Sequence, residues 1–353
     1  MKKRAVLLVN LGSPDAPEVP EVRKYLKQFL MDPYVIHLPW LLRALLVNFL
    51  VLPKRPHSSA EAYRSIWTED GSPLIHYSQE LLKALQAKLD IPVAIAMRYG
   101  KPSIESQIKS LLANGGSNGD GDGNKKIDEI LFIPLYPHHA DSTVTTSVKE
   151  AERVIRENNF SVKLQTLKPF YDDKSYIDAL VNSAASALSE NYDHILFSYH
   201  GLPELHITKA DPTDNHCLKS ESCCSVTSAS PAHATCYRHQ VLRTTECFAQ
   251  KAGLSSDQYT VAYQSRLGRA QWLEPSTDNT LVKLAQQGKK KILVLCPAFV
   301  TDCLETLEEI DIRGRKTFFA AGGEELTYIP CLNDNEDWVD CLSKWIKEYP
   351  TAQ

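Results

Sequence analysis

The sequence predicts an α/β protein built from two similar doubly wound lobes, each with a parallel four-stranded sheet. Short apolar runs alternate with helix-period segments along the whole length, which is typical of strands joined by crossover helices. At 353 residues and 43% hydrophobic content, the chain can bury two cores of ordinary size. The runs predicted as strands are 5–11, 93–97, 127–135, 162–167, 194–199, 259–263, 292–299 and 326–330.

The first four runs precede the segment 169–172 and the last four follow it, so we place the lobe boundary there. The predicted N-terminal lobe covers residues 1–170 and the predicted C-terminal lobe covers residues 171–330. An amphipathic segment closes the chain, and we expect 331–353 to form a helix that packs back on the first lobe.

The N-terminus has basic residues before a short apolar run, but no small-residue cleavage site follows it. We therefore interpret this run as the first strand and expect a cytoplasmic protein. The net charge of −4 gives no basic footprint, so nucleic acid is not an expected partner. No phosphate-binding loop, dinucleotide fingerprint, esterase elbow or H-E-x-x-H motif occurs.

The most apolar stretch of the chain is 33–53, which is interrupted by prolines, Arg43 and Asn48. It is too short and too interrupted for a membrane-spanning helix. Two interpretations stay open: a buried core helix, or an exposed apolar lip over 38–52 that receives a flat hydrophobic ligand or contacts a membrane surface. A Gly-, Asn- and Asp-rich segment at 114–125 predicts a flexible linker, and its spacing does not fit a calcium loop.

Acidic residues follow the apolar run at 292–299, where open α/β sheets place their ligands. On an α-helix, Glu305 and Glu309 lie one turn apart and repel each other unless a proton or a cation uses them. The alternative is structural, with Asp302 capping the helix and the glutamates favouring its N-terminal dipole from a solvated surface.

A second strand end carries His200, followed by the loop residues Gly201, Leu202 and Pro203. A lone histidine is often structural. Here the position matches that of the acidic strand end, and a neutral imidazole accepts a proton near pH 7. We therefore predict a general base at this residue.

The chain has nine cysteines, an odd number without an export signal, so metal ligands or free thiols are expected rather than disulfides. Five are spread through the C-terminal part. The other four crowd into one loop, and they are Cys217, Cys223, Cys224 and Cys236.

These motifs together resemble the ferrochelatase family. The segments at 198–203 and 298–309 match it most specifically, and matching segments follow in the same order nearly from end to end: 10–14, 25–30, 71–74, 97–100, 134–138, 264–268 and 272–278. The resemblance implies insertion of Fe²⁺, as substrate, into protoporphyrin IX to form protohaem, in an active-site cleft between two similar lobes.

The family's active-site histidine and its partner glutamate match His200 and Glu305, the two residues the resemblance implies for contact with the substrate iron. Glu309 continues the acidic side as a third catalytic residue, while the family's further acidic position is Arg313 here. Cys303 stands where some members have histidine, so we do not count it as a ligand. The resemblance implies substrate binding by Arg98, Tyr99, Trp272 and Phe299, and the aromatic faces of the last three suit a flat macrocycle.

The cysteine-rich segment 210–237 is an insert relative to short family members, and some ferrochelatases carry a [2Fe-2S] cluster. We expect Cys217, Cys223, Cys224 and Cys236 to hold one, since four thiolates suffice. Zinc, with His216, His233 or His239 as ligands, and no metal at all are the alternatives. The resemblance also implies porphyrin and haem as partners. Because both dissolve poorly in water, we expect the apolar lip over 38–52 to give peripheral contact with the inner membrane. A monomer and a homodimer both stay open.

Overall fold

The computed structural model describes residues 3–113, 126–225, 229–266, 268 and 270–351. The linker predicted at 114–125 lies outside these residues. The chain forms two compact units, one of residues 1–135, 141–168 and 339–353, the other of residues 136–140 and 169–338.

The first unit has a parallel sheet of β1 (Arg4–Asn10), β2 (Val93–Met97), β3 (Glu129–Pro134) and β4 (Lys163–Thr166), in the order β2-β1-β3-β4. Every residue of β1 and β3 is buried, as expected for central strands covered on both faces. Its helices are α1 (Val19–Leu30), α2 (Trp40–Leu45), α3 (Arg55–Ile66), α4 (Pro73–Gln86), α5 (Ile104–Ala113) and α6 (Thr146–Glu157), with π-helices at Leu46–Val51 and Asp141–Thr145.

The second unit has a parallel sheet of β5 (His194–His200), β6 (Tyr259–Gln264), β7 (Lys291–Leu295) and β8 (Glu325–Tyr328), in the order β6-β5-β7-β8. Its helices are α7 (Lys174–Ser189), α8 (Glu204–Lys209), α9 (Tyr237–Ala252), α10 (Thr277–Gln286), α11 (Leu304–Thr306) and α12 (Arg315–Ala320), with a 3₁₀-helix at Pro231–Ala234 and a π-helix at Leu307–Gly314.

The two sheets share one strand order, which confirms the predicted pair of similar parallel four-stranded lobes. The strand at 292–299 was predicted too long, because β7 ends at Leu295. Pro297 has no N–H to donate to a neighbouring strand, and Phe299 donates its N–H to the Cys296 carbonyl in a turn instead. The chain therefore leaves the sheet earlier and turns toward the acidic residues.

The last helix, α13 (Glu336–Glu348), leads into a C-terminal segment fixed to the first unit. The guanidinium of Arg4 donates to the carbonyls of Tyr349 and Pro350, at 2.7 and 2.6 Å. It also pairs with the buried Glu129 carboxylate at 2.6 Å, so the positive charge is compensated inside the fold.

The apolar stretch is exposed rather than buried. Seven large side chains of this stretch stand out from the surface, and Trp40 and Phe49 expose 67% and 72% of theirs. The two polar residues that interrupt this stretch bond to its backbone. Arg43 is buried and its guanidinium donates to the Leu38 carbonyl, and the Asn48 side chain donates to the Ala44 carbonyl. No helix among the described residues is long and apolar enough to cross a membrane.

Candidate active site

His200 ends β5, and a hydrogen bond of its side chain indicates which ring nitrogen carries the proton. The Nδ1 atom lies 2.7 Å from the Gly201 carbonyl oxygen. Because a carbonyl only accepts, Nδ1 carries the proton of the neutral ring. The lone pair is then on Nε2, which is the atom able to take a proton from a substrate.

The backbone around His200 is held from three sides. The Tyr237 hydroxyl donates to the His200 carbonyl at 2.8 Å, and the Phe299 ring packs edge-on against the imidazole with centroids 6.3 Å apart. At Gly201, an added Cβ would lie 2.7 Å from the Gln264 carbonyl oxygen and 3.4 Å from the Trp272 ring. Only glycine lets the strand end approach this closely.

Glu305 and Glu309 lie at the carboxyl edge of the same sheet, on a helix that differs from the predicted one. Only Leu304–Thr306 is α-helical, and the chain continues as the π-helix Leu307–Gly314. The simple α-helical spacing assumed for the two glutamates is therefore wrong, although their charges still interact. π-Helical turns are rare and occur often at functional sites.

The Glu309 carboxylate is mostly buried and surrounded by polar groups. Ser265 Oγ donates to its Oε2 at 2.5 Å, the Gln264 amide donates to Oε2 at 3.3 Å, and Arg313 lies 3.4 Å from Oε1. Burial and, to a smaller extent, the negative charge of Glu305 raise the pKa of Glu309 to about 7. The contacts with the three neighbours lower this pKa, but by less. A carboxyl with this pKa is partly protonated at neutral pH and can both accept and release a proton.

Asp302 does not cap the helix, contrary to the structural alternative. The N-cap is Cys303, with Thr306 completing a capping box. Asp302 is buried and accepts hydrogen bonds from Tyr328, Thr306 and Asn333. Burial, with the nearby Glu305, raises the pKa of the Cys303 thiol well above its usual value.

Arg98 and Tyr99 lie in the first unit, in a polar cluster around buried Asp32. The Asp32 carboxylate accepts from Arg98 at 2.6 Å, from the Tyr99 hydroxyl at 2.9 Å and from Thr146 at 2.6 Å. Tyr99 exposes only 1% of its surface, while the Arg98 side chain exposes 15%. In this structure Asp32 holds both side chains, and contact of either with substrate stays a prediction.

The four clustered cysteines are buried and interact pairwise. Sγ of Cys223 and Sγ of Cys224 are 3.8 Å apart, and the thiol of Cys236 interacts with those of Cys224 and Cys217. Hydrogen bonding from Cys224 and from the His239 N–H lowers the pKa of Cys236. The pKa values of its partners Cys217 and Cys224 are raised. Within the residues described, no group of three or more His, Cys, Asp or Glu side chains could hold a metal ion.

The histidines of this loop support its backbone. His216 and His233 both place Nε2 on the Cys223 carbonyl, at 2.7 and 2.9 Å. His239 places Nδ1 on the Cys224 carbonyl at 3.0 Å and stacks on His233 with centroids 3.7 Å apart. The rings therefore hold the turn that carries Cys223 and Cys224 through its carbonyl oxygens.

Comparison with known proteins decides the family. The ferrochelatase family model matches residues 3–349. A curated ferrochelatase of Stutzerimonas stutzeri is 53% identical over 353 residues and covers 100% of both chains, and one of Azotobacter vinelandii is 52% identical over 345 residues and covers 98% of both. This chain belongs to the ferrochelatase family. Its reaction is the insertion of iron into protoporphyrin to form haem, which makes it a lyase.

A solved structure supports the α/β fold independently of sequence. SirB from Bacillus subtilis with Fe³⁺ matches with a TM-score of 0.54 at 12% identity, covering 98% of this chain and 95% of the other. At this identity the likeness concerns the fold alone.

Sequence reasoning did not single out three residues that support the candidate site: Gln264, Ser265 and Tyr237. One signal was available, since Gln264 directly follows the strand predicted at 259–263, just as His200 follows the strand predicted at 194–199. The left-handed backbone of Ser265, with φ of 64°, has no sequence signature in serine. The bond of Tyr237 to the His200 carbonyl joins residues 37 positions apart, which no local pattern reveals.

Proposed function

We propose that His200 accepts the pyrrole protons through Nε2, and that Glu305 with Glu309 passes protons or escorts Fe²⁺ on the opposite side of the ring. The observation that best supports this is the connection through Gln264. Its backbone carbonyl accepts the Gly201 N–H beside His200, and its side chain donates to the Glu305 carbonyl and to Glu309. One buried residue therefore joins the backbone beside His200 to the acidic pair.

Metal insertion requires two pyrrole N–H protons to leave and the ring to bend, so that a nitrogen lone pair faces the incoming ion. A neutral imidazole can take such a proton in one step. On the acidic side, Glu309 can hold a proton at neutral pH while the adjacent Glu305 supplies negative charge for a cation. Few, weak oxygen ligands suit this task, because a closed site would retain the iron.

Trp272 and Phe299 are the aromatic residues expected to hold the macrocycle. Trp272 is partly exposed and pairs with Pro203 in the loop that follows His200. Phe299 contacts the imidazole directly. Rigid apolar contacts of this kind can offset the strain of a bent ring.

Turnover with different metals tests this function. Purified protein mixed anaerobically with protoporphyrin and Fe²⁺ should convert many equivalents of porphyrin per chain, followed by absorbance. A haem or iron–sulfur carrier would shift the spectrum only in proportion to protein. Preference for cobalt or nickel with another tetrapyrrole would indicate a related chelatase instead.

The exposed apolar lip, formed by Leu38, Trp40, Leu41, Leu42, Leu45, Phe49 and Leu50, is proposed to contact a membrane surface. A contiguous set of large exposed apolar side chains is unusual on a monomeric soluble surface. A membrane would also supply and remove a porphyrin substrate and haem product that dissolve poorly in water.

Replacing Trp40 and Phe49 together with serine is expected to weaken binding to anionic lipid vesicles by at least about tenfold. Each large apolar side chain contributes roughly 1.5–3 kcal/mol when it leaves water. Because both are exposed, the melting temperature should stay unchanged. Phe319→Ser, an exposed aromatic of the other unit, is the control in vesicle sedimentation. Unchanged vesicle binding by a folded double variant would contradict membrane contact.

A [2Fe-2S] cluster held by Cys217, Cys223, Cys224 and Cys236 is the proposed cofactor. The described side chains form no metal-binding group as they stand, so the proposal rests on four buried thiols in one loop, which match the cluster's ligand number. The loop histidines bond to carbonyls, which favours the cluster over a Cys/His zinc site. Its proposed role is structural. Cys236 immediately precedes Tyr237, whose hydroxyl holds the His200 carbonyl, so an ordered loop stabilises the base.

Protein purified anaerobically is expected to be brown, with about two iron and two sulfide per chain. Cys→Ser at any of the four should bleach it, whereas Cys247→Ser, outside the loop, should not. Iron and sulfide analysis with visible absorbance provides the readout. A colourless protein with one zinc per chain would contradict the cluster and support a zinc site in this loop.

A further inference from the structure

Gln264 occupies a central place between the two sides of the candidate active site. It is the last residue of β6, pairs in register with His200 of β5, and exposes only 5% of its surface. Its backbone carbonyl accepts the Gly201 N–H at 2.8 Å. Its side-chain nitrogen donates to the Glu305 carbonyl at 2.6 Å and to Glu309 Oε2 at 3.3 Å.

The orientation of this amide is determined by its other end. Gln264 Oε1 accepts from the Ser198 hydroxyl at 2.7 Å, and Thr277 lies 2.8 Å from the same hydroxyl. The thiol of Cys296 also faces Oε1, at 3.7 Å. Since these groups need an acceptor, the amide nitrogen is directed toward the glutamates, and both of its hydrogens have partners there.

Ser265 adds a second, shorter contact to the same carboxylate oxygen. Its hydroxyl lies 2.5 Å from Glu309 Oε2, and its backbone has φ of 64°, in the left-handed region. A serine in this region is uncommon, and such residues cluster at functional sites. A hydrogen bond to an ionised carboxylate is among the stronger ones, so the contact can offset this backbone cost.

The carboxylate held this way has charged neighbours on several sides. Glu305 precedes it on the helix, Arg313 follows it, and Glu308 faces the same guanidinium at 3.6 Å. Asp278 approaches the other side of Arg313 at 4.0 Å. Without Gln264 and Ser265, the carboxylate of Glu309 could swing to Arg313 alone, away from the strand end that carries His200.

We infer that Gln264 and Ser265 are positioning residues for metal insertion, which hold the Glu309 carboxylate and the Glu305 backbone at a fixed place relative to His200. This inference rests on the proposed roles of those three residues. Neither positioning residue need touch the porphyrin or the metal. The pair keeps the proton acceptor and the acidic side in register as the chain passes from strand into loop.

Gln264→Met, which keeps the volume and removes both donors, is expected to lower kcat about tenfold to a hundredfold, as is usual when groups that orient functional ligands are lost. The KM for porphyrin should be unchanged. Gln258→Met, at an exposed glutamine directly before the same strand, is the matched control and should behave as wild type. Circular dichroism and melting temperature establish that each variant is folded.

Substitutions of Ser265 separate its hydrogen bond from its backbone strain. Ser265→Gly removes the hydroxyl and suits the positive φ, whereas Ser265→Ala removes the hydroxyl and keeps the strain. Both should lose kcat about equally, roughly tenfold, and Ser265→Asn, which tolerates this backbone and can donate, should recover part of it. Full activity of the glycine variant would show that the contact has no positioning role.

The outcomes distinguish this inference from the proposed function itself. If His200→Ala is inactive while Gln264→Met and Ser265→Gly keep normal kcat, the function stands and the positioning role is refuted. If His200→Ala retains normal kcat, the proposed function fails first. A rise in porphyrin KM alone for Gln264→Met would make it a binding residue and also refute the inference.

Discussion

Replacing His200 with alanine is expected to lower the rate of iron insertion by about a thousandfold, because positioned general bases contribute roughly 10²–10⁴ to such rates. The imidazole Nδ1 bonds to the next carbonyl, so Nε2 is the atom positioned to accept protons. Tyr237 bonds to the backbone carbonyl of His200, which the alanine variant retains. Folding and porphyrin binding should therefore persist, measured by circular dichroism and by porphyrin fluorescence.

A histidine at the opposite end of the same strand provides the control for this variant. His194 bonds to Thr260 at 2.9 Å, and His194→Ala should change stability more than turnover. Added imidazole should partly restore metal insertion by His200→Ala, since the missing group is a proton acceptor. Near-normal metallation by a folded His200→Ala protein would refute the role of this residue.

Glu305→Gln is expected to lower kcat about a hundredfold, the usual scale for removing one electrostatic group from an active site. The substitution preserves size and leaves the backbone carbonyl that accepts from Gln264. The KM for porphyrin should be unchanged, because the charge acts on protons or metal rather than on ring binding. Glu308→Gln, a nearby carboxylate that pairs with Arg313 at 3.6 Å, is the matched control.

Glu305→Gln is also expected to change how the free energy of unfolding depends on pH. Burial raises the pKa of Glu309 from 4.5 to about 7, and Glu305 is the second cause. Between these values the unfolded chain releases a proton that the folded chain keeps, so the free energy of unfolding falls as pH rises, by about 3 kcal/mol in total. Glu305→Gln lowers the pKa of Glu309, so this fall should be smaller in urea titrations at pH 5 and pH 8.

Two results would contradict this account of Glu305. An increase in the porphyrin KM with kcat preserved would assign it to substrate binding. An identical pH dependence of unfolding in the variant and the wild type would show that the two carboxylates do not interact. Either result can be read without assuming a role for His200.

The site was only partly predictable from sequence. His200 and Glu305 were predicted as site residues because each follows an apolar strand, and strand ends of parallel sheets meet at one edge. The hydrogen bonds of Asp302 could not be predicted, because its partners Tyr328 and Asn333 lie 26 and 31 positions away in the sequence. Exposure of the apolar lip was also undecided, since an apolar helical run has the same pattern when buried or exposed.

By itself the sequence determined the fold class, the eight strands, the family and the strand-end placement of the base and the acidic pair. These features follow from local periodicity and from motifs that are contiguous in the chain. The tertiary structure alone decided which groups surround the carboxylate of Glu309 and how the loop histidines are used. Those contacts join residues far apart in sequence, such as Ser265 and Glu309 at 44 positions, and backbone geometry sets them after the strands have paired.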